Sequence, residues 1–352
     1  MPQRPFAGPD AEVRALISAA DVAFVNFEGP LTDRRAPSDT VAWVRGDPAL
    51  AQDVAATGMV VASLANNHAA DFGTDGLLDT IAALESAGVR TVGAGTNLEQ
   101  ALMPSIVQAN GLRVAFLGFA STLPNGCAAG DQRPGVAPIR VLSRFVIDSV
   151  VLEQNPGMGP YVETVARAED VDNAASAIAM AKESADVVVV AIHWGVPDGW
   201  APSYQSELAS YQRPLGHRLI DAGADAVIGH HPHVLHGIEI YRGRPVFYSL
   251  GNFLFHSLVS GELVAARSYP PYDFTRLRSR LGGLARLSWT QPGAPDLIEL
   301  GIVRLDESGN PHSGSGADLA EAYERVRPLS AALRARVVRP EAGRSWFKVA
   351  SA

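Results

Sequence analysis

Val227–Tyr241 reads VIGHHPHVLHGIEIY. An apolar run leads in, His230, His231 and His233 crowd into four consecutive positions, and an alternating run leads out. The first part reads as a buried strand, the middle as its exit turn and the last as a half-buried strand. Imidazoles gathered in one turn pack poorly and repel when protonated. A divalent transition metal is the simplest reason to gather them, because neutral imidazole is a good ligand. The alternative is a solvated loop that is merely rich in histidine, and the rest of the chain has to decide between the two.

The same unit recurs on either side. DVAFVNFEG gives a strand over Val22–Phe27, GDPALAQDVAATG a helix, and MVVASLANNH a strand with its exit loop. TDGLLDTIAALESAGV reads as a helix with Leu77, Ile81 and Leu84 on one side. VRTVGAG, LRVAFLGFAS and VVVVAIHWG read as strands, and VDNAASAIAMAKESAD as the helix before the last of them. This alternation implies an α/β fold. PDAEVRALISAAD, near the start, reads as a helix with Asp10 as its N-cap. Beyond the histidines, GIEIYRGRPVFYSLGNFLF reads as a hairpin turning at Arg242–Arg244. The strands GGLARLSWT and LIELGIVRL follow, and a last helix is expected over 317–337. The stretches 122–167 and 257–278 lose the periodicity and are expected to be irregular insertions. With no repeat and no linker, residues 1–352 read as one domain.

The composition of the 352 residues narrows the function. A hydrophobic share of 47% against 19% charged supports a sizeable core. A net charge of −8 without a basic block argues against nucleic acid as partner. The single cysteine, Cys127, forms no internal disulfide, and no thiol motif surrounds it. The N-terminus lacks the pattern of a signal peptide, and no apolar run is long enough to span a bilayer. A soluble, cytoplasmic protein is expected, acting on a small-molecule or peptide substrate, with a homo-oligomer left open.

Polar groups stand at or just after the strand ends. Asn26 and Glu28 end the first strand, and Asn66, Asn67 and His68 follow the second. His193 ends VVVVAIHWG, and the histidine cluster ends DAVIGHHPH. Open α/β sheets build their sites at the carboxyl ends of strands, so carboxylate, amide and imidazole groups can converge on a metal there.

NFEGPLT, SLANNHAADFGTDGLLDT, GAGTNLEQA, AIHWG and LIDAGADAVIGHHPHVLHGIEIYRGRPVFYSLGNFLF together resemble the CapA family, which includes the poly-γ-glutamate capsule synthesis proteins. The resemblance runs in order over about 21–255. It implies kinship with the calcineurin-like metallophosphoesterases, a four-layer α-β-β-α sandwich and a two-metal centre. By the same resemblance Glu28 is a bridging carboxylate. Asn67, His193 and His231 are ligands of the second metal, and His233 is a ligand of the first. His68 is the proton donor to the leaving group. Asp71, three residues on, would orient His68 and raise its basicity. His230 and Asn66 are outer-shell residues. The mixed N/O ligand set favours Mn, Fe or Zn over Ca or Mg.

One departure stands out. The family's first strand, ending Gly-Asp and giving an aspartate to the first metal, has no counterpart ahead of DVAFVNFEG. Three explanations are open: a start upstream of Met1, a lost first site that leaves one ion on Glu28, Asn67, His193 and His231, or another segment in that place. A weakened or absent first site is the expectation.

For substrate contact the candidates are Arg45 and Arg213, whose guanidinium suits carboxylate or phosphate, together with Trp200 and Asn252. A solvated Arg45 and a Trp194 packed behind His193 are the plain alternatives. The expected activity is metal-dependent hydrolysis of a phosphoester or a γ-glutamyl-like amide. The alternatives are a non-catalytic part in poly-γ-glutamate synthesis or export, and bond formation or isomerisation at the same metal site.

Overall fold

In a computed structural model, residues 8–38, 43–198, 207–255, 279–340 and 345–352 are described. They form a mixed α/β fold with eight helices. The chain begins with α1 (Ala11–Ser18), β1 (Ala23–Asn26), α2 (Leu50–Ala56), β2 (Met59–Ser63), α3 (Gly73–Ser86) and β3 (Arg90–Val92). Asp10 caps α1 by accepting from the Val13 N–H at 2.8 Å, as its sequence position implied. The strands β1, β2 and β3 lie parallel in that order as a three-stranded sheet.

After β4 (Ala94–Gly95), α4 (Leu98–Leu102) and β5 (Ser105–Ala109) comes β6 (Leu112–Ala120). The stretch 122–167 is more regular than expected. It contains β7 (Gly135–Val136), and then β8 (Val141–Val146), α5 (Ser149–Gln154) and β9 (Tyr161–Ala166), with β8 and β9 paired as a separate antiparallel hairpin. The other expected insertion, 257–278, lies outside the described residues.

A second sheet carries the centre of the fold. With α6 (Ala168–Ser184), β10 (Val187–His193), α7 (Gln212–Asp221), β11 (Ala226–His230), β12 (Ile238–Tyr241) and β13 (Arg244–Phe247), it runs β12-β13-β11-β10-β6-β5. The pairs β6–β10, β10–β11 and β11–β13 are parallel, so their carboxyl ends share one edge. All seven residues of β10 are buried, as an interior parallel strand requires. Arg242 at φ 50° and Gly243 at φ 76° make the tight turn between β12 and β13.

Side-chain alternation divides the packing. Leu117, Phe119, Val188, Val190 and Ile192 face Ala174 and Ile178 of α6 and Leu215 and Leu219 of α7. Phe116, Val187, Val189 and Ile228 face the other way, onto Val61 and Val92 of the first sheet and Leu300, Ile302 and Phe347 of a third. Each such side chain, fully buried, contributes about 1.5–3 kcal/mol. The third sheet holds β14 (Leu281–Ser288), β15 (Leu297–Leu305), β16 (Pro311–Ser313), β17 (Ala335–Val338) and β18 (Trp346–Ser351), with α8 (Gly316–Ala332) between β16 and β17.

The expected last helix overran its end. Arg334 takes φ 60°, and Ala335–Val338 alternate buried and exposed as a strand paired with β18. Tertiary pairing overrides helical reading of that β-branched run.

A glycine contact brings the first two sheets close enough to share a site. Gly93, at φ 79°, and Gly118 lie backbone to backbone; a Cβ on Gly93 would stand 2.9 Å from the Gly118 carbonyl oxygen. Phe24 of β1 stacks on Phe116 of β6 beside this crossing, with ring centroids 5.4 Å apart.

Candidate metal centre

The strand ends that converge belong to β1, β2, β10 and β11. Parallel register sets Asn26 beside Ser63 and His193 beside His230. Asn66, fully buried, ties the two exit turns together. Its side-chain amide donates to the Phe27 carbonyl at 2.8 Å, and its Oδ1 accepts from the His68 N–H at 3.2 Å. These bonds hold Glu28 on one turn and Asn67 and His68 on the other in fixed relation.

His193 Nε2 is the hub. It lies 2.6 Å from Asn67 Oδ1, 3.2 Å from His231 Nδ1 and 3.5 Å from Glu28 Oε1. His233 Nε2 lies 3.9 Å from the same Glu28 oxygen. Two ligand atoms, each about 2.1 Å from one tetrahedral ion, stand about 3.4 Å apart. The His231 and Glu28 spacings from His193 suit a shared cation, while Asn67 Oδ1 stands at hydrogen-bond distance instead. Among the described residues, however, no group of three or more His, Cys, Asp or Glu side chains stands in a closed ligand arrangement. The donor atoms turn toward one another instead, most closely at the His193–Asn67 contact.

The chemistry of the set fits a cation nonetheless. Glu28 Oε1 is buried and meets no hydrogen-bond donor among the described residues, while Oε2 takes only a long bond, 3.4 Å, from Asn26 Nδ2. A buried carboxylate oxygen left without a donor is costly. Burial drives His193 well below the ordinary histidine range, and the charges of His231 and His230 add to this. Burial likewise lowers His231 and His230 to about 3. All three are neutral near pH 7, which is the form that ligates metals. A neutral His193 carries one proton, yet both its nitrogens face polar atoms, Asn67 Oδ1 on one side and His230 Nδ1 at 3.3 Å on the other. Neutral rings can meet both contacts, with His193 donating from Nε2 to Asn67 Oδ1 and His230 donating from Nδ1 to His193 Nδ1.

The turn itself is strained. His231 takes φ 108° and His233 φ 57°. Such backbone on non-glycine residues costs on the order of 1–3 kcal/mol each and concentrates at functional sites.

His68 sits at the rim. Its Nδ1 lies 2.8 Å from Asp71 Oδ2, which also accepts from the Val44 N–H at 2.7 Å. Burial pulls the His68 pKa down, but the Asp71 hydrogen bond and the charges of Asp71 and Glu28 outweigh it, and the net shift is upward. The His68 charge in turn acts on His193 and His231.

The remaining candidates divide. Asn252 is buried, and its Oδ1 lies 2.8 Å from His233 Nδ1. It therefore supports a histidine rather than reaching into solvent as a substrate contact. Arg213 binds Glu239 through Nε at 3.0 Å and Nη2 at 2.8 Å, so this guanidinium is occupied. Arg45 reaches the Thr32 and Arg34 carbonyls at 3.4 and 3.3 Å and lies over the Phe72 ring. Trp194 is fully buried and stacks on Tyr248. Trp200 lies outside the described residues. His230 backs His193, and its Nε2 is buried with no hydrogen-bond partner among the described residues. Burial pushes the Cys127 thiol up to about 12, so it is no nucleophile at neutral pH. Tyr211 went unnoticed in the sequence: its hydroxyl accepts from the Gly195 and Val196 N–H groups at 2.8 and 3.2 Å and pins the loop leaving β10. No local pattern marks that role.

The family model for the bacterial capsule synthesis protein PGA_cap matches residues 2–257. The chain belongs to this family. Among curated relatives, the PGA biosynthesis protein CapA of Bacillus subtilis is 32% identical over 69% of this chain and 55% of its own length. A probable polyglutamine synthesis accessory protein of Mycobacterium tuberculosis is 34% identical over 67% of this chain and 56% of its own. An uncharacterized protein of Sinorhizobium fredii is 31% identical over 75% and 64%. The chain thus spans between about half and two thirds of the length of these PGA_cap relatives. A hypothetical protein of known structure from Thermus thermophilus aligns over 85% of this chain and 87% of its own, at 17% identity and a TM-score of 0.37. No helix among the described residues is long and apolar enough to cross a membrane.

Proposed function

We propose that this PGA_cap chain is a metal-dependent hydrolase built on a metallophosphoesterase-type sandwich, with Glu28, Asn67, His193, His231 and His233 holding one or two Mn, Fe or Zn ions. The observation that carries the reading is the meeting of Glu28 Oε1, Asn67 Oδ1 and His231 Nδ1 around His193 Nε2, with the carboxylate oxygen left undonated. A cation held there supplies Lewis-acid polarisation of a phosphoryl or carbonyl oxygen and lowers the pKa of a water. Asp71 holds His68 through Nδ1, so Nε2 is left to carry a proton to a leaving group. Asn252 fixes the His233 ring from behind by the same logic. A scissile phosphoester or γ-glutamyl-like amide fits this equipment, and so do small metabolites and peptides as a class.

A second reading is an accessory role in poly-γ-glutamate synthesis, favoured by the printed names of the Bacillus and Mycobacterium relatives. One experiment separates the two. Metal-loaded protein and its His68→Ala variant are assayed on a panel of phosphoesters and γ-glutamyl peptides. Turnover lost in the variant, with metal retained, supports catalysis. Bound metal without turnover on any member supports the accessory role.

A further inference from the structure

The hairpin of β8 and β9 stands apart from the three larger sheets. Its inner face is anchored at the base, while Phe145 farther along that face is 66% exposed. Val141 and Ala166 pack on the core at its base. Thr164, buried, donates from its backbone N–H to Asp198 Oδ1 at 2.7 Å, and Asp198 Oδ2 accepts from the Ser210 N–H at 2.7 Å. Asp198 follows β10, so this anchor ends on the loop that leaves His193.

Among the described residues nothing is seen to cover the outer face. The register pairs Leu142 with Val165, Arg144 with Glu163 and Val146 with Tyr161 on that face. Leu142 is 56% exposed and Tyr161 62%. Of the fourteen large hydrophobic side chains exposed among the described residues, ten lie between Leu142 and Val165, including the tip helix α5. The exposure is therefore a property of this arm and not of the surface at large. At about half exposure, and with the roughly 150–250 Å² of an aromatic side chain as the upper scale, these ten leave on the order of 1,000 Å² over both faces of the arm and its tip helix, with Leu142, Val146, Tyr161 and Val165 on the outer face. A typical monomer's largest apolar patch is about 300–600 Å², whereas one partner of a standard interface contributes about 800 Å². An isolated two-stranded hairpin is also marginal in water without cover on its apolar face.

We propose that a second copy of this chain covers the arm, outer face to outer face, in a two-fold dimer. The charge pattern selects that occupant. The apolar face carries one central pair of opposite charges, Arg144 and Glu163. With the two-fold axis parallel to the strands, each Arg144 meets the Glu163 of the other copy, so the surface is self-complementary in charge as well as in apolarity. A lipid surface finds no matching cationic rim: Asp148 and Glu153 flank the tip. The dimer reinforces the Thr164–Asp198 anchor and thereby the loop beside the histidine cluster. Nothing in the proposal depends on a metal.

Light scattering on the eluting full chain at tens of micromolar tests it. The expected mass is twice that of the chain. The single variants Arg144→Glu and Glu163→Arg are each expected to elute as monomers with unchanged circular dichroism. Mixed one to one they should restore the dimer, because one arm then carries only acidic and the other only basic charge at the central pair. A monomeric native chain overturns the proposal, as does a dimer indifferent to both variants. A native monomer that sediments with phosphatidylglycerol vesicles overturns it too and assigns the arm to a lipid surface.

Discussion

His233 Nδ1 lies 2.8 Å from Asn252 Oδ1, and the Asn252 amide donates to the Ser279 carbonyl at 3.0 Å. The second contact fixes which end of the amide faces the ring, so the histidine donates from Nδ1 and leaves the Nε2 lone pair toward Glu28. Asn252→Ala removes that constraint. Such supports are worth about 10–100-fold in metal affinity. Titration calorimetry with Mn or Zn should therefore show weakening within that range, while the far-ultraviolet spectrum stays native.

Glu28→Gln should act in opposite directions with and without metal. In the metal-free chain it removes a buried carboxylate oxygen that lacks a donor. Relief of that desolvation stabilises by about 1–3 kcal/mol. The same change weakens the cation site, so the rise in melting temperature on adding Mn should shrink or vanish. Calorimetric melting with chelator and with Mn reads both effects. A metal-free variant less stable than the native chain would argue that Glu28 is satisfied in another way.

Arg213 offers a test of the difference between the sequence expectation and the structure. Its partner Glu239 is buried and also accepts from the Tyr248 hydroxyl at 2.7 Å. Arg213→Ala should cost about 1–3 kcal/mol in urea unfolding, since a buried acceptor loses its cation. Substrate KM should not move. A raised KM with unchanged stability would return Arg213 to the substrate side.

The buried imidazoles predict acid sensitivity. Burial, with Arg325 adding to it, lowers His236 to about 4, and His230 and His231 are lowered to about 3. A histidine whose folded pKa is depressed binds its proton more readily in the unfolded chain. Stability therefore falls as pH drops below about 6.5 and keeps falling until the folded pKa is reached. Each such group costs about 2 kcal/mol at pH 5. His68, shifted upward, works against this: its contribution is present below the unfolded value and is lost as pH rises through the folded one. With four depressed groups, His193 among them, against one raised, urea unfolding in chelator should give a clearly lower free energy at pH 5 than at pH 7.5. Equal values would mean that these rings are protonated in the fold.

Much of the architecture was legible because it is periodic. The run VVVVAIH could only be an interior strand, and Asp10 announced its helix by position and chemistry. Strand ends carrying Glu28, Asn67, His193 and His231 are brought together because parallel strands direct their carboxyl ends to one edge. What escaped depends on partners far apart in the chain. Glu239 claims Arg213 across 26 positions, and Asn252 claims His233 across 19. The β8–β9 arm escaped for another reason. Its outer face is apolar yet exposed, so the usual link between hydrophobicity and burial fails there. At Ala335–Val338 a helical pattern yielded to pairing with β18, a contact that no local window contains.

Metal content is the most direct test of the central claim. Purified full chain, dialysed against Mn or Zn and then against metal-free buffer, is analysed by mass spectrometry of its ions beside Glu28→Gln and His231→Ala variants that keep the native fold. The account predicts at least one tightly held ion per native chain and its loss from both variants. A native chain that retains none, or variants that hold as much as the native chain, would contradict it.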